Sequence, residues 1–449
     1  MRKKLISQRC LFDQSIEQLL ALVQPERVLK RIDQILMDNP HMTERVHADL
    51  TSAAAKTGAH GMSAEQVLRT ALVKQLKHYP YRELCERLND GVSLRWFTRF
   101  GSAEIPHFTA VQKAVKAIRS ETWHQINELL CDYAHTQKLE DGRHLRADTT
   151  VVEADIHYPT DARLLWDGIR VLTRVMKRSA LASQLRDIGF ADRRRSAKRL
   201  AYRITMAKGP KADQLRRKHY RRLIRVANGV FTMASGLYQH PQAGFAEGGR
   251  LDWFLTLFAT AIDQCERRVL KGEPVPAEEK VVSLFEDHTD IIKRGKSSCP
   301  VEFGHKVLFA TGKSGLITQY QVLKGNPDDG QFVDELIATH KCQYGKAPHS
   351  FSADRRFYSA ANEALAYEHG VRKLSMVKPG RRSKVRELFE KERWFKKLQK
   401  FRAGIEGIIS AMMRGVGLKR CLWKGWQAFK RYVGLSVVSF NLKRIALML

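Results

Sequence analysis

The chain lacks the features that would mark it as a membrane or secreted protein. No apolar run approaches the roughly 18–20 residues a membrane helix requires, so no span is predicted. The seven cysteines, Cys10, Cys85, Cys131, Cys265, Cys299, Cys342 and Cys421, are odd in number and scattered, with no C-x-x-C pair. That pattern excludes a disulfide framework and a structural zinc cage, and it reads as a reducing, intracellular protein. Cys299 with His288 and His305 would be an isolated ligand set without zinc spacing, and it is set aside. The first residues, Met-Arg-Lys-Lys-Leu-Ile-Ser-Gln-Arg, are basic, but the apolar run of a signal peptide does not follow. The stretch 432–449 is apolar yet contains Asn441, Lys443 and Arg444, so it reads as a docked core helix.

Acidic residues are also scarce: 47 Asp and Glu stand against 78 Lys and Arg, for a formal charge of +31. Such a chain repels itself unless a polyanion is near, and nucleic acid is the favoured partner over an anionic membrane or ribosomal surface. Its 449 residues are 43% hydrophobic, enough for folded domains, two or three in number.

Residues 1–140 read as an all-helical domain. Leu19, Leu20, Leu22 and Val23, then Val28, Leu29, Ile32 and Ile35, recur at helical spacing, with Pro25 opening one helix. Ser63 is placed to cap a helix carrying Val67, Leu68, Ala71, Leu72 and Leu76. Further helices are expected at 81–88, after Pro106 and at 121–137, ending in an Asp141-Gly142 turn. Residues 143–157 switch to β character. A basic helical insertion is expected over 161–280, closed by a hinge at Gly272-Glu-Pro-Val-Pro276. Within it, 186–225 holds fifteen Arg or Lys against three Asp. Ordinary surface helices mix signs for i,i+4 support, so this excess reads as a phosphate-contacting surface. The candidate DNA contacts there are Arg193, Arg194, Arg195, Lys198, Arg199, Arg216, Arg217, Lys218, Arg221 and Arg222. Strands are expected at 307–310, 317–323, 349–353 and 372–377, with helices at 332–340 and 360–367. Together with the strand around Asp148 they give an α/β core, a mixed five-stranded sheet flanked by helices, built from 141–160 and 281–449. Gly312-Lys-Ser is read as a hairpin turn; the full phosphate-loop pattern is absent.

Asp148 interrupts an apolar strand, Asp354 follows another, and Glu406 lies on a basic helix. A carboxylate in such a strand is costly unless it is paired or metal-bound. Three carboxylates without a convergent His or Cys cluster suit magnesium, whose hard oxygen ligands leave positions for water and substrate. Two such ions would activate the attacking water or hydroxyl and neutralise the scissile phosphate. Arg402, one turn before Glu406, would orient it, hold phosphate or form a plain i,i+4 ion pair. Arg414, Lys419 and Arg420 are further candidate phosphate contacts. Trp423 and Trp426 are either core residues or stacking platforms for a base. Asp328 and Asp329 fit a helix cap, with Asp328 within possible reach of the metals.

These stretches, in order, resemble the DDE-type transposases of bacterial insertion sequences, of the ISNCY-like kind with a ribonuclease-H-like core. The resemblance is carried by Tyr81-Arg-Glu-Leu-Cys-Glu-Arg-Leu88, Ser93-Leu-Arg-Trp-Phe97, Pro106-His-Phe-Thr109, Ala147-Asp-Thr-Thr150, Pro300-Val-Glu-Phe-Gly-His-Lys306, Gly325-Asn-Pro-Asp-Asp329, Ser352-Ala-Asp-Arg-Arg-Phe357, Arg402-x-x-x-Glu406, Gly417-Leu-Lys-Arg420 and Ser439-Phe-Asn-Leu-Lys-Arg-Ile445. It implies a catalytic triad of Asp148, Asp354 and Glu406 binding two Mg2+ ions, or Mn2+. It also implies DNA-end binding and/or dimerisation by residues 1–140, cleavage at the element's ends, joining of the 3′-hydroxyl to target DNA, and a homodimer or larger assembly on double-stranded DNA with terminal inverted repeats. The expected location is cytoplasmic and nucleoid-associated, with no membrane partner. The sequence departs from the related pattern Tyr-x-x-Arg-x-x-x-Glu-x-x-x-x-x-x-Lys at Gln399 and Met413. It departs again at Asp354-Arg-Arg-Phe357, where a glycine is common. A DNA-binding protein without catalysis, from a decayed element, and a metal-dependent nuclease without strand transfer are the alternatives.

Overall fold

The computed structural model describes residues 26–52, 61–178, 190–239, 248–293 and 301–449. The expected helix around Leu19 to Pro25, together with Cys10, Arg186, Cys299 and Pro300, lies outside the described residues. The chain divides into two compact units, Met1–Ala154 with Ile292–Leu449, and Asp155–Ile291. The second is wider at both ends than the expected insertion, 161–280.

In the first unit the early helices form where their capping and periodicity dictate. Ser63 accepts from the Gln66 amide while the Gln66 side chain accepts from the Ser63 amide, a reciprocal box that starts the helix Ala64–Lys77. Tyr81–Asp90 stops at Gly91, and Phe108–Ala117 buries Val111, Ala114 and Val115. Ser120–Thr136 follows, and at the turn beyond it Gly142 adopts a φ of 64°. A side chain at Gly142 would strike the Tyr344 ring as well. These helices share one apolar core with the closing helix Trp426–Met448, which buries Val433, Val437 and Val438 as expected for a docked helix. A buried polar link fastens the two. Asn441 donates to Asn127 Oδ1 and to the Ile317 carbonyl, and it accepts from the Ile317 amide. Each partner is satisfied, so the link adds specificity to an otherwise apolar interface.

Among the described residues the sheet has seven strands, β1 (His144–Ala154), β2 (Asp290–Lys293), β3 (Val301–Thr311), β4 (Ile317–Val322), β5 (Ser350–Ala353), β6 (Lys373–Met376) and β7 (Arg420–Cys421). The expected five are present. The count of five is corrected by β2 and β7, four and two residues long, too short to leave a periodic signal. The order is β2-β3-β1-β5-β6, with β4 also on β3 and β7 also on β1. β4 runs antiparallel to β3 and β3 to β1, while β5 and β6 run parallel to β1. The antiparallel pairs need only a short turn, whereas the parallel ones need helical crossovers, here Val333–Tyr344 and Ala360–Glu368. This is a ribonuclease-H-like architecture with helical insertions.

β1 is central and sandwiched. Leu145 and Ala147 face one side, packing with Val333, Leu336 and Ile337; Val152 faces the other, in the core of Ile405, Ile409 and Met412. Strand alternation therefore puts Asp148 on the side of the helix Arg393–Gly415. The turn between β3 and β4 is the hairpin expected at Gly312. It wraps a carboxylate, for the Ser314 amide and hydroxyl both donate to Glu140 Oε2.

The second unit is helical throughout its ordered elements: Asp161–Met176, Arg194–Met206, Ala212–Gln239 and Gly248–Cys265, then a π-helical turn, Glu266–Lys271, ended by Gly272. Leu165, Ile169, Leu172, Leu223, Ala227 and Phe258 form its core. Asp161 is buried at a helix start and holds Gln264 and Arg268.

Candidate active site

β1 and β5 are parallel neighbours, and Ala147 pairs with Ala353. Asp148 and Asp354 are each the next residue, so the register sets the two aspartates side by side at the same level. They come from positions more than two hundred residues apart. Beyond Ala353 the chain leaves the strand, and Asp354 opens a short 3-10 turn by accepting from the Arg355 amide at 2.7 Å. The third carboxylate arrives on the helix Arg393–Gly415, which packs along β1, β5 and β6.

Arg402 joins the three. Its guanidinium lies 3.1 Å from Asp148 Oδ2, 3.9 Å from Asp354 Oδ2 and 3.1 Å from Glu406 Oε1. The spacing alone promised only the Glu406 pair; the reach to both aspartates comes from the packing of the helix on the sheet. Asp148 is mostly buried, whereas Glu406 retains 65% of its side-chain exposure, so the cluster opens toward solvent on the glutamate side. Burial pushes the Asp148 carboxyl above its ordinary value. Arg402 and the Thr149 amide pull it down, and Asp354 and Glu406 push it up again.

Three carboxylates around one guanidinium leave negative charge uncompensated in a strongly basic chain. The donors are all oxygen, which suits a hard divalent cation. The central position is held by Arg402, and among the described residues no group of three His, Cys, Asp or Glu stands at metal-holding spacing. In chemistry the donor set fits such an ion; in this arrangement the guanidinium is its positive charge.

On the opposite face of β1, Thr149 donates to Asp329, and Lys306 Nζ forms a buried ion pair with the same carboxylate at 2.5 Å. Lys306 also donates to the Pro327 carbonyl. The two central segments, 301–306 and 325–329, are thus tied to each other and to the strand of Asp148. Asp329, read from sequence as a cap, is a buried brace. Asp328 occupies the cap position without a side-chain cap bond.

The other expected residues divide. Gln399 donates to the Ser375 carbonyl and hydroxyl on β6, and Met413 packs against the core. Arg414 and Lys419 are exposed, and Arg420 lies in β7. Trp423 is buried in the core, while Trp426 is half-buried and packs against His305 and Phe429. In the second unit Arg193, Arg195, Lys198, Arg199, Lys218, Arg221 and Arg222 are exposed. Arg194 is committed to Asp192, Arg216 to Asp213 and the Ala207 carbonyl, and Arg217 to the carbonyls of Val269 and Leu270.

Two family models match parts of the chain: a transposase domain (DUF772) over residues 17–116, and a transposase DDE domain over residues 368–446. The chain carries a DDE transposase domain. The DDE match includes Arg402 and Glu406, while Asp148 and Asp354 lie outside both matches. Neither a curated protein nor a solved structure matches significantly. Among the described residues no helix is long and apolar enough to cross a membrane.

Proposed function

We propose that the chain cuts phosphodiester bonds at the ends of an insertion sequence and joins the freed 3′-hydroxyl to target DNA, with Asp148, Asp354 and Glu406 as the catalytic carboxylates. The observation that carries this reading is their convergence on one guanidinium from two adjacent strand ends and one helix. The same three would hold two Mg2+ ions, or Mn2+, once Arg402 swings aside. Bound there, the ions would lower the pKa of the attacking water or hydroxyl and neutralise the scissile phosphate.

The protein's own part is positioning. β1 and β5 fix the two aspartates by backbone register, which a side-chain rotation cannot disturb. The exposed Glu406 carboxylate is the adjustable member, on the open side where DNA would enter. Arg402, released from the carboxylates, is within reach of a phosphate in the same cleft. The exposed arginines and lysines of residues 193–222 supply sequence-independent attraction to duplex DNA. Paired ends call for at least two copies, so a homodimer or larger assembly on terminal inverted repeats belongs to this reading.

The deciding experiment incubates the protein with Mg2+ and DNA carrying candidate inverted repeats, then maps the product ends. Nicks with 3′-hydroxyls that later appear joined to target DNA support the proposal. Nicks that are never joined indicate a nuclease. A non-catalytic DNA-binding protein is the reading favoured by the contact of Arg402 with all three carboxylates, and it would give no product at any Mg2+ concentration.

A further inference from the structure

The second unit contains a groove of about 620 Å3 between the helices Arg194–Met206 and Ala212–Gln239. That lies within the roughly 300–1,000 Å3 of ordinary ligand clefts. Its walls carry five arginines, Arg193, Arg199, Arg203, Arg222 and Arg225, all exposed. None of them is paired with a described carboxylate, unlike Arg194 and Arg216 on the same helices. Arg203 and Arg225 stand outside the dense basic runs of the sequence and join the others only through helix packing. The floor is apolar, formed by Leu200, Val226, Val230 and Met233, with Phe190 at one side. The positive field is felt by a neighbour. Burial, followed by Arg203, Arg222 and Lys218, holds the His219 imidazole below its ordinary value. Its Nδ1 is buried without a hydrogen-bond partner.

These features call for two different things from one ligand. The guanidinium groups call for phosphate or another anion, which they bind with planar, bidentate geometry. The floor calls for an apolar surface, which a phosphate ridge does not offer. In a duplex the flat faces of the bases are stacked inside, so a duplex lying across the groove would satisfy the rim and leave the floor empty. An unpaired strand offers both, since its bases splay out and lie against apolar or guanidinium surfaces while its phosphates stay on the rim.

We propose that this groove binds an unpaired DNA strand, with phosphates on the five arginines and a base against the apolar floor. The proposal deepens the transposase reading, because cleavage at DNA ends generates unpaired nucleotides, but the site is separate in sequence from the carboxylates.

The test uses the full chain and fluorescence anisotropy with four probes of equal length: oligothymidine, the same strand with abasic sites, oligouridine and a blunt duplex. The expected result is that R203A/R225A weakens oligothymidine at least tenfold and the duplex by less than threefold. The salt slope for the strand should fall by about 0.7 for each phosphate no longer neutralised. Abasic substitution should weaken binding several-fold in the wild type and change little in the double variant. Equal losses on strand and duplex, or equal affinity for the abasic and base-bearing strands, would overturn the proposal. So would a tenfold preference for oligouridine, which would assign the groove to RNA. D148N, measured in parallel, separates the two readings. If D148N abolishes nicking while R203A/R225A binds the strand normally, the groove fails and the transposase stands. If the groove variants behave as expected but no protein nicks DNA, the reverse holds.

Discussion

Arg402 in the first unit and Arg203 in the second are the same side chain under opposite constraints. Arg402 has 16% side-chain exposure and contacts three carboxylates; Arg203 is exposed and lines a groove with four further arginines and no acidic partner. In the first case negative charge is in excess and the arginine satisfies part of it. In the second the positive charge is in excess and nothing within the described protein satisfies it. The contrast shows that net basicity, taken over the chain, hides a place where the local balance is reversed.

The largest effect should follow from breaking the acidic side. D148N is expected to reduce Mg2+-dependent nicking by about 10³-fold, the scale implied by losing several kcal/mol of charge stabilisation. DNA affinity should stay within twofold. Quantifying both with one end-containing duplex checks this, and nicking at the wild-type rate would remove Asp148 from the chemistry. A second substitution sharpens the comparison. R402Q removes the resident positive charge, so Mg2+ no longer competes with it. The expected outcome is a lower melting temperature without metal and an Mg2+ half-saturation lowered about fivefold, as for an ion pair worth about 1 kcal/mol. A titration of melting temperature with Mg2+ reads both. A variant whose melting temperature ignores Mg2+ would favour the DNA-binding reading without catalysis.

Sequence made the members of these clusters legible but not their meeting. Asp148 stood out because a lone acid among Leu145, Ala147, Val151 and Val152 demands a partner. The β1–β5 register that brings Asp354 beside it is a long-range pairing, which no local pattern encodes. Arg402 was visible as an i,i+4 neighbour of Glu406, yet its contacts with both aspartates depend on how a helix lies on a sheet. The helices before β1 were readable because capping and periodicity are local, as Ser63 and Gln66 demonstrate. Strands β2 and β7 were not, since so few residues carry no period and pair only because a longer strand is already there. Asp329 was read as a cap from its place before Phe332; its burial against Lys306 follows from two distant segments closing together. The groove was missed for the same reason. The basic runs were obvious, but which arginines share a concave wall is a property of two helices crossing.

The basic side should break more gradually, because many residues share the load. R193A/R195A/R199A is expected to weaken duplex binding about tenfold near 150 mM salt and to lower the salt slope by about 0.9 for each phosphate left without its cation. Affinity measured across a salt series tests it, and an unchanged slope would mean that these residues do not meet phosphate. Nicking per bound complex should be unaffected, which is how this loss differs from that of D148N.

The smallest effect concerns pH and isolates the buried carboxylate of the cluster, Asp148. Asp148 is raised above its ordinary value of 3.8, with burial the largest cause. Between that value and its folded one, the native state holds more protons at this site than the unfolded state. Raising the pH through that window therefore loses stability, and the loss is complete once the folded group has ionised. D148N has no such proton to release. The stability of the wild type relative to D148N should fall as pH rises above about 4, read as the difference in urea midpoints at each pH. Adding Mg2+ at pH 7 should reverse the difference, because a cation bound only by the ionised site stabilises the folded state in proportion to its occupancy. A difference that stays flat with pH would mean that Arg402 already compensates the buried charge in full, and the pull on a divalent ion would then rest on Asp354 and Glu406.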